Sequence, residues 1–303
     1  MDINEFKEFL CTKLPTDIIT FNQEMKKYTT FRIGGMVDIF IKPETVEQVV
    51  EAISLCRAHG VPYYILGNGS NLLVADEGFR GVVIQIYNSL EDIKVEGTKI
   101  KAMAGAILAK VASVALKNGL KGFEFAHGIP GTIGGAIVMN AGAYDGEMKQ
   151  VVKSCEVLDE AGNIITLTNE ELEFGYRTSV IPKKGYIVLS VTIELEQGDT
   201  EEIQAKMKDF AGRRRDKQPL DKPSAGSTFK RPEDHFAGKL IMDSGLRGYQ
   251  IGGARVSDKH CGFIVNEDHT ATCKDVEDLI SHVQKVVFEK YGVQLEPEVK
   301  KLQ

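Results

Sequence analysis

The stretch Phe123–Tyr144, FEFAHGIPGTIGGAIVMNAGAY, limits this chain more than any other. Gly128, Gly131, Gly134, Gly135 and Gly142 stand among apolar residues, with almost no charge. A surface linker would be polar. A core helix would lose roughly 1 kcal/mol for each glycine relative to alanine. A segment that is buried while its backbone approaches something closely satisfies both observations, because glycine lacks a Cβ. The stretch therefore reads as a loop laid against a buried, phosphate-bearing cofactor. A tightly packed glycine turn with no ligand is the alternative.

At 303 residues the chain exceeds the usual single-domain size, which predicts two or three domains. Its net charge of −6 argues against broad electrostatic capture of nucleic acid. No apolar run approaches the roughly 20 residues that span a bilayer. Met1–Glu8 is charged and amphipathic, without an apolar signal core. These features predict a cytoplasmic protein with no nucleic-acid or membrane partner and no evident obligate protein partner. Cys11, Cys56, Cys155, Cys261 and Cys273 are scattered with no C-x-x-C pair, which favours free thiols in a reducing compartment. The histidines show no metal-ligand spacing, so no metal centre is expected.

Along the chain, a helix is predicted around Ile3, Phe6, Phe9 and Leu10. A strand at 37–41, a helix with apolar period from Val46 to Leu55 ended by Gly60, and a strand at 61–66 form a βαβ-like unit. The last strand runs into Gly67-Asn68-Gly69-Ser70-Asn71-Leu72, where small residues can present several backbone N–H groups to an anion. Leu72 stands where a G-x-G-x-x-G pattern needs its third glycine, and no G-K-[ST] follows, so a Rossmann site or P-loop is disfavoured. Short strands of a mixed sheet are expected at 82–86, 93–95 and 100–105, and a helix at 107–117. Further strands are expected at 151–158, 164–167 and 186–193, with a hairpin at Asp159–Asn163. After a charged helix at 200–215, Pro219 and Pro223 mark a change of composition, and a domain boundary is expected near 195–200. Helices near 236–244 and 274–291, with strands at 251–256 and 262–265, predict a final α+β domain.

Two glycine-rich loops in an α+β unit without a dinucleotide fingerprint resemble the FAD-binding fold of the vanillyl-alcohol-oxidase/p-cresol-methylhydroxylase type. Nearly end to end, the chain resembles the UDP-N-acetylenolpyruvoylglucosamine reductase family. The motifs are Thr30–Gly35, Leu66–Asn71, Gly128–Gly135, Gly175–Ser179, Ala225–Lys230, Gln250–Ala254 and Leu295–Val299, in that order. The resemblance implies an FAD-binding region at 1–196, with subdomains at about 1–80 and 81–196. It implies an α+β substrate domain at 197–294, and a segment 295–303 returning to the FAD side. It implies tightly, non-covalently bound FAD, held by Leu66, Gly67, Asn68, Gly69, Ser70, Asn71, Leu72, Pro130, Gly131, Thr132, Gly134, Gly135, Ala136, Asn140 and Gly142. Gly131, Gly134 and Gly135 are where the backbone is expected closest to the cofactor. It further implies that NADPH reduces FAD, and that reduced flavin gives hydride to the vinyl carbon of an enolpyruvyl sugar nucleotide. A proton then quenches the enolate, giving UDP-N-acetylmuramate for peptidoglycan.

That reaction needs a cation against a carboxylate and a proton donor. Arg177 matches the family's permanent cation, a role that suits a guanidinium binding two oxygens at once. Ser227 matches the proton donor, with Lys230 as a candidate polarising neighbour. Glu298 matches the third position, as a carboxylic acid bonded to the enolate, which requires a raised pKa. From the residues alone each has a plain structural reading: Arg177 an exposed strand residue, Ser227 a turn serine bonded to backbone, Glu298 a solvated carboxylate near the end. Substrate anchoring points to Lys217, Lys230, Arg213, His260 and Asn266, while two of Arg213, Arg214 and Arg215 read as the solvated end of a helix. The tyrosine-bearing insertion that some members carry after the arginine is absent here, which matches the shorter subtype. The rival readings are another FAD oxidoreductase of this fold, or a non-catalytic sugar-nucleotide-binding module.

Overall fold

A capping box starts the chain: Asp2 accepts from the N–H groups of Asn4 and Glu5, and Glu5 reaches back to the Asp2 N–H. The computed structural model describes residues 2–303. Helix α1 (Ile3–Lys13) buries Phe6 and Leu10, one turn apart. Strands β1 (Ile19–Glu24) and β2 (Met36–Ile41) precede α2 (Val46–His59), which Thr45 caps and Gly60 closes at φ 65°. Strands β3 (Tyr63–Leu66), β4 (Leu72–Val74) and β5 (Phe79–Gln85) follow.

The first sheet runs β1-β2-β5-β3, with β3 and β5 parallel. Residues 37–66 are therefore not an adjacent βαβ pair, because β5 lies between β2 and β3. The sequence reading put 82–86 with the later sheet. Val82, Val83 and Ile84 are instead fully buried in the first one, as a central strand covered on both faces requires.

Strands β6 (Ile93–Glu96) and β7 (Lys99–Met103) lead to α3 (Leu108–Lys117) and β8 (Leu120–Lys121). The glycine-rich stretch contains α4 (Ile133–Val138), followed by β9 (Gly142–Ala143) and β10 (Gly146–Glu147). Next come β11 (Val152–Leu158), β12 (Ile164–Thr168), α5 (Val180–Lys183), β13 (Ile187–Glu194) and β14 (Glu196–Gln197). An antiparallel sheet runs β12-β11-β13-β7-β6. The Asp159 hairpin closes through Asn163 N–H to Asp159 Oδ1 at 2.8 Å.

Helix α4 corrects the expectation of an unbroken loop. Thr132 caps it, accepting from Gly135 N–H. Gly134 is required inside it because a Cβ there would stand 2.8 Å from Ala104 Cβ and 2.9 Å from the Ala104 carbonyl oxygen. The close approach at Gly134 is to protein, and the packing it permits outweighs the weak helix propensity of glycine.

The remaining elements are α6 (Thr200–Lys217), α7 (Ala237–Asp243), β15 (Gln250–Ile251), β16 (Ala254–Val256), β17 (Ile264–Val265), α8 (Cys273–Tyr291) and β18 (Lys300–Leu302). By Cα proximity the chain forms two compact units. One holds Met1–Thr20, Ile39–Asn68 and Gly81–Arg214; the other holds Phe21–Asp38, Gly69–Arg80 and Arg215–Gln303. Each unit has its own buried cluster. Helix α6 stays with the first unit as far as Arg214, because Ile203 and Met207 join that unit's core. Among the described residues no helix is long and apolar enough to cross a membrane.

Candidate active site

In the first unit the glycine loop after β3 meets the stretch before α4. A Cβ on Gly67 would stand 2.6 Å from Thr132 Oγ1, and Asn68 Nδ2 donates to the Pro130 carbonyl at 2.7 Å. In the second unit, Gly69 at φ 63° would drive a Cβ to 2.1 Å from the Tyr28 carbonyl oxygen, and its own carbonyl accepts from Thr30 N–H. Among the described residues, no backbone carbonyl accepts from the N–H groups of Gly67, Asn68, Gly69 or Ser70. Consecutive unpaired N–H groups on a glycine-rich turn suit a diphosphate, without help from lysine or arginine.

The stretch before α4 behaves differently. Gly131, Ile133 and Gly134 donate to the carbonyls of Ile129, Ala106 and Ala104, and Gly135 donates to Thr132 Oγ1. Gly135 is exposed, with Thr132 Oγ1 as the only atom near its missing Cβ, at 3.4 Å. Of the three glycines expected nearest a cofactor, Gly135 is the one facing outward. Leu66, Leu72 and Ala136 bury their side chains, which leaves only their main chain for a ligand.

Arg177 is not on a strand. It occupies the Gly175–Thr178 turn, whose ends exchange backbone hydrogen bonds at 3.1 and 3.3 Å, and its φ is 54°. The guanidinium lies 5.0 Å from the Tyr176 ring and donates from Nη2 to the Gly142 carbonyl at 3.2 Å. Asn140, buried and at φ 45°, donates to the Gly175 carbonyl at 3.0 Å and to Glu147 Oε2 at 3.1 Å. Arg213 pairs with Asp209 through Nε and Nη2, while Arg214 is half-buried against Gly128. Arg213 and Arg215 are the exposed pair.

In the second unit the C-terminus gathers Ser227 and Glu298. Strand β18 pairs parallel with β4, directly after the glycine loop. Asn71 Nδ2 donates to the Glu298 carbonyl at 3.2 Å, and Glu298 N–H donates to the Thr228 carbonyl at 2.8 Å. Phe229 bridges Pro297, so Ser227 and Glu298, distant in sequence, flank one short pairing. Ser227 is exposed, whereas Thr228 is buried and anchored, its Oγ1 accepting from Ile264 N–H at 3.0 Å. Lys230 forms an ion pair with Glu296, which occupies the side chain offered as Ser227's polarising neighbour.

Lys217 is exposed at the end of α6. His260 stands edge-on to Phe263, and its Nδ1 accepts from Gly262 N–H at 3.1 Å. Burial holds its imidazole below the ordinary value, against a smaller opposing backbone hydrogen bond. Asn266 is fully enclosed: Nδ2 donates to the Phe31 carbonyl at 3.1 Å, and Oδ1 accepts from Ala271 N–H at 3.0 Å. Its amide holds the 31–32 segment. Sequence reasoning missed the contributions of Ser179 and Thr228, whose partners lie far along the chain. Burial pushes the thiols of Cys56, Cys155 and Cys273 up to about 12, so none is a ready nucleophile.

Two family models match. Residues 37–168 match an FAD binding domain, and 218–302 match the C-terminal domain of UDP-N-acetylenolpyruvoylglucosamine reductase. The reductase of Clostridium perfringens is 55% identical over 296 residues, covering 98% of this chain and 97% of that one. The chain belongs to the UDP-N-acetylenolpyruvoylglucosamine reductase family. The Caldanaerobacter subterraneus reductase is 56% identical, with 92% of each chain covered. The crystal structure of the Thermus caldophilus reductase matches at TM-score 0.81 and 36% identity, covering 94% of this chain and 98% of that one. The chain is therefore an oxidoreductase with an FAD-binding domain.

Proposed function

We propose that this chain reduces UDP-N-acetylglucosamine enolpyruvate to UDP-N-acetylmuramate, a step of peptidoglycan precursor synthesis, with NADPH as electron source. FAD, when bound, supplies the hydride from N5 to the vinyl carbon. Gly67–Asn71 and the Pro130–Gly142 stretch serve the cofactor through main-chain groups. Arg177 sets a permanent charge against the substrate carboxylate, where negative charge grows as the enolate forms. Ser227 gives the proton that quenches the carbanion carbon, and Glu298 supports the enolate. Lys217, Lys230, Arg213 and His260 supply positive or hydrogen-bonding groups for the diphosphate and sugar. In this reading residues 1–196 serve FAD, 197–294 serve the substrate, and 295–303 carry Glu298. The enzyme works in the cytoplasm without an obligate partner.

The observation that most supports the chemistry is the Glu298-to-Thr228 backbone bond, which brings the C-terminal carboxylate's segment beside the serine's. The test is NADPH oxidation by the flavin-loaded protein with and without the enolpyruvyl sugar nucleotide. Oxidation that depends on that substrate is expected. Oxidation indifferent to it, or a purified protein that yields no FAD on extraction, sinks the reading.

A further inference from the structure

Asn140 follows α4 and its C-cap Met139 and is enclosed by protein. Its Nδ2 donates to Glu147 Oε2 at 3.1 Å and to the Gly175 carbonyl at 3.0 Å, and its Oδ1 accepts from Lys149 N–H at 2.9 Å. Both amide hydrogens are thus used inside the protein, although sequence reasoning assigned this residue to the cofactor. Gly175 opens the turn that carries Arg177. Two further bonds join the same segments: Arg177 Nη2 to the Gly142 carbonyl at 3.2 Å, and Ser179 Oγ to the Val138 carbonyl at 2.9 Å.

Arg177 and Asn140 both sit at positive φ, at 54° and 45°. A left-handed residue other than glycine is strained and persists only where its surroundings over-determine it. The three bonds above are among those surroundings for Arg177. Asparagine suits the post because it tolerates left-handed backbone and offers two donors and an acceptor at once. Aspartate would lack the donors and face the Glu147 carboxylate.

We propose that Asn140 is a positioning residue for Arg177. By holding the Gly175 carbonyl it fixes the strained turn, while the Gly142 carbonyl two residues on orients the guanidinium. The end of α4 thereby sets the cation's aim. This inference rests on the role given to Arg177 above.

The test is a double-mutant cycle of Asn140→Gly, which keeps positive φ without strain, and Arg177→Ala, in flavin-loaded enzyme with the two half-reactions followed separately. Asn140→Gly keeps the main chain through which this stretch serves the cofactor, so any loss of flavin content or of reduction by NADPH is expected to be small beside the loss in reoxidation. Its reoxidation by the enolpyruvyl sugar nucleotide should slow by roughly 10- to 100-fold, the scale of a misplaced catalytic group. In the Arg177→Ala background the same substitution should change reoxidation by less than about twofold, because its effect passes through the guanidinium. Losses that multiply, equal slowing of both half-reactions, or a protein that folds but no longer holds flavin each overturn the proposal. Arg177→Ala with unchanged reoxidation would instead overturn the role of Arg177 itself. Should circular dichroism show Asn140→Gly unfolded, Ser179→Ala takes its place in the cycle, with the same expected pattern and the same overturning results.

Discussion

Arg177 stands in a four-residue turn at positive φ, held by single hydrogen bonds from Asn140, to Gly142 and from Ser179. Ser227 and Glu298 flank the single Phe229–Pro297 bridge, tied by main-chain bonds from Glu298 to Thr228 and from Lys230 to Glu296. In the first region side chains carry the geometry, so one substitution can release it. In the second the backbone carries it, and most side-chain changes nearby leave the pairing intact. A cation that must point in one direction calls for the first arrangement. A hydroxyl and a carboxyl that must be brought together across a long stretch of sequence call for the second.

The widest effects are expected where the chemistry itself is removed. Ser227→Ala should slow reduction of the enolpyruvyl substrate by roughly 10²–10⁴-fold, the usual worth of a general acid, while stopped-flow reduction of flavin by NADPH stays near normal. Equal loss in both half-reactions would remove Ser227 from the donor role. Arg177→Ala should cost about 10²–10³-fold in the same step, as removal of one charge-stabilising donor does.

The backbone-held region has a different weak point. Leu302 is buried on β18, which pairs with β4. Leu302→Ala should lower stability by about 2–3 kcal/mol in denaturant titration, near the low end for a buried leucine. An unchanged midpoint would mean that β18 adds little to the pairing. On the other side, Gly134→Ala forces a Cβ against Ala104 backbone and should cost about 1–3 kcal/mol by overpacking, with weaker retention of flavin. A neutral outcome would show that α4 can shift freely, which the strapped Arg177 turn would then have to follow.

The smallest effect concerns pH. Burial holds the His260 imidazole below its ordinary 6.5, so the folded protein takes up that proton later than the unfolded chain does as pH falls. Its contribution to stability is complete above the ordinary value and is lost as pH drops from there through the lower folded value. His260→Gln should flatten the stability profile across that window, and an unchanged profile would show that the imidazole titrates as if exposed.

Sequence by itself determined the elements whose signals are local. Helix α2 is framed by Thr45 and Gly60, α8 begins at a capping box of Thr272 and Asp275, and the 159–163 turn joins β11 to β12. The ordered motifs also carried the family and the residue types the chemistry needs. What only the tertiary structure decided is pairing and strain. Nothing near residues 79–85 says that β5 belongs between β2 and β3, and nothing near residue 300 says that β18 pairs with β4. The glycines of 131–135 read as cofactor contacts, yet Gly134 answers to Ala104 and only Gly135 faces outward. Arg177 reads as a strand residue because an arginine, unlike glycine or asparagine, gives no local sign of left-handed backbone. Helix period and capping act over three or four residues and can be read locally. Register and strain depend on which distant group fills the remaining hydrogen bond or space, and that becomes definite only when the chain has folded.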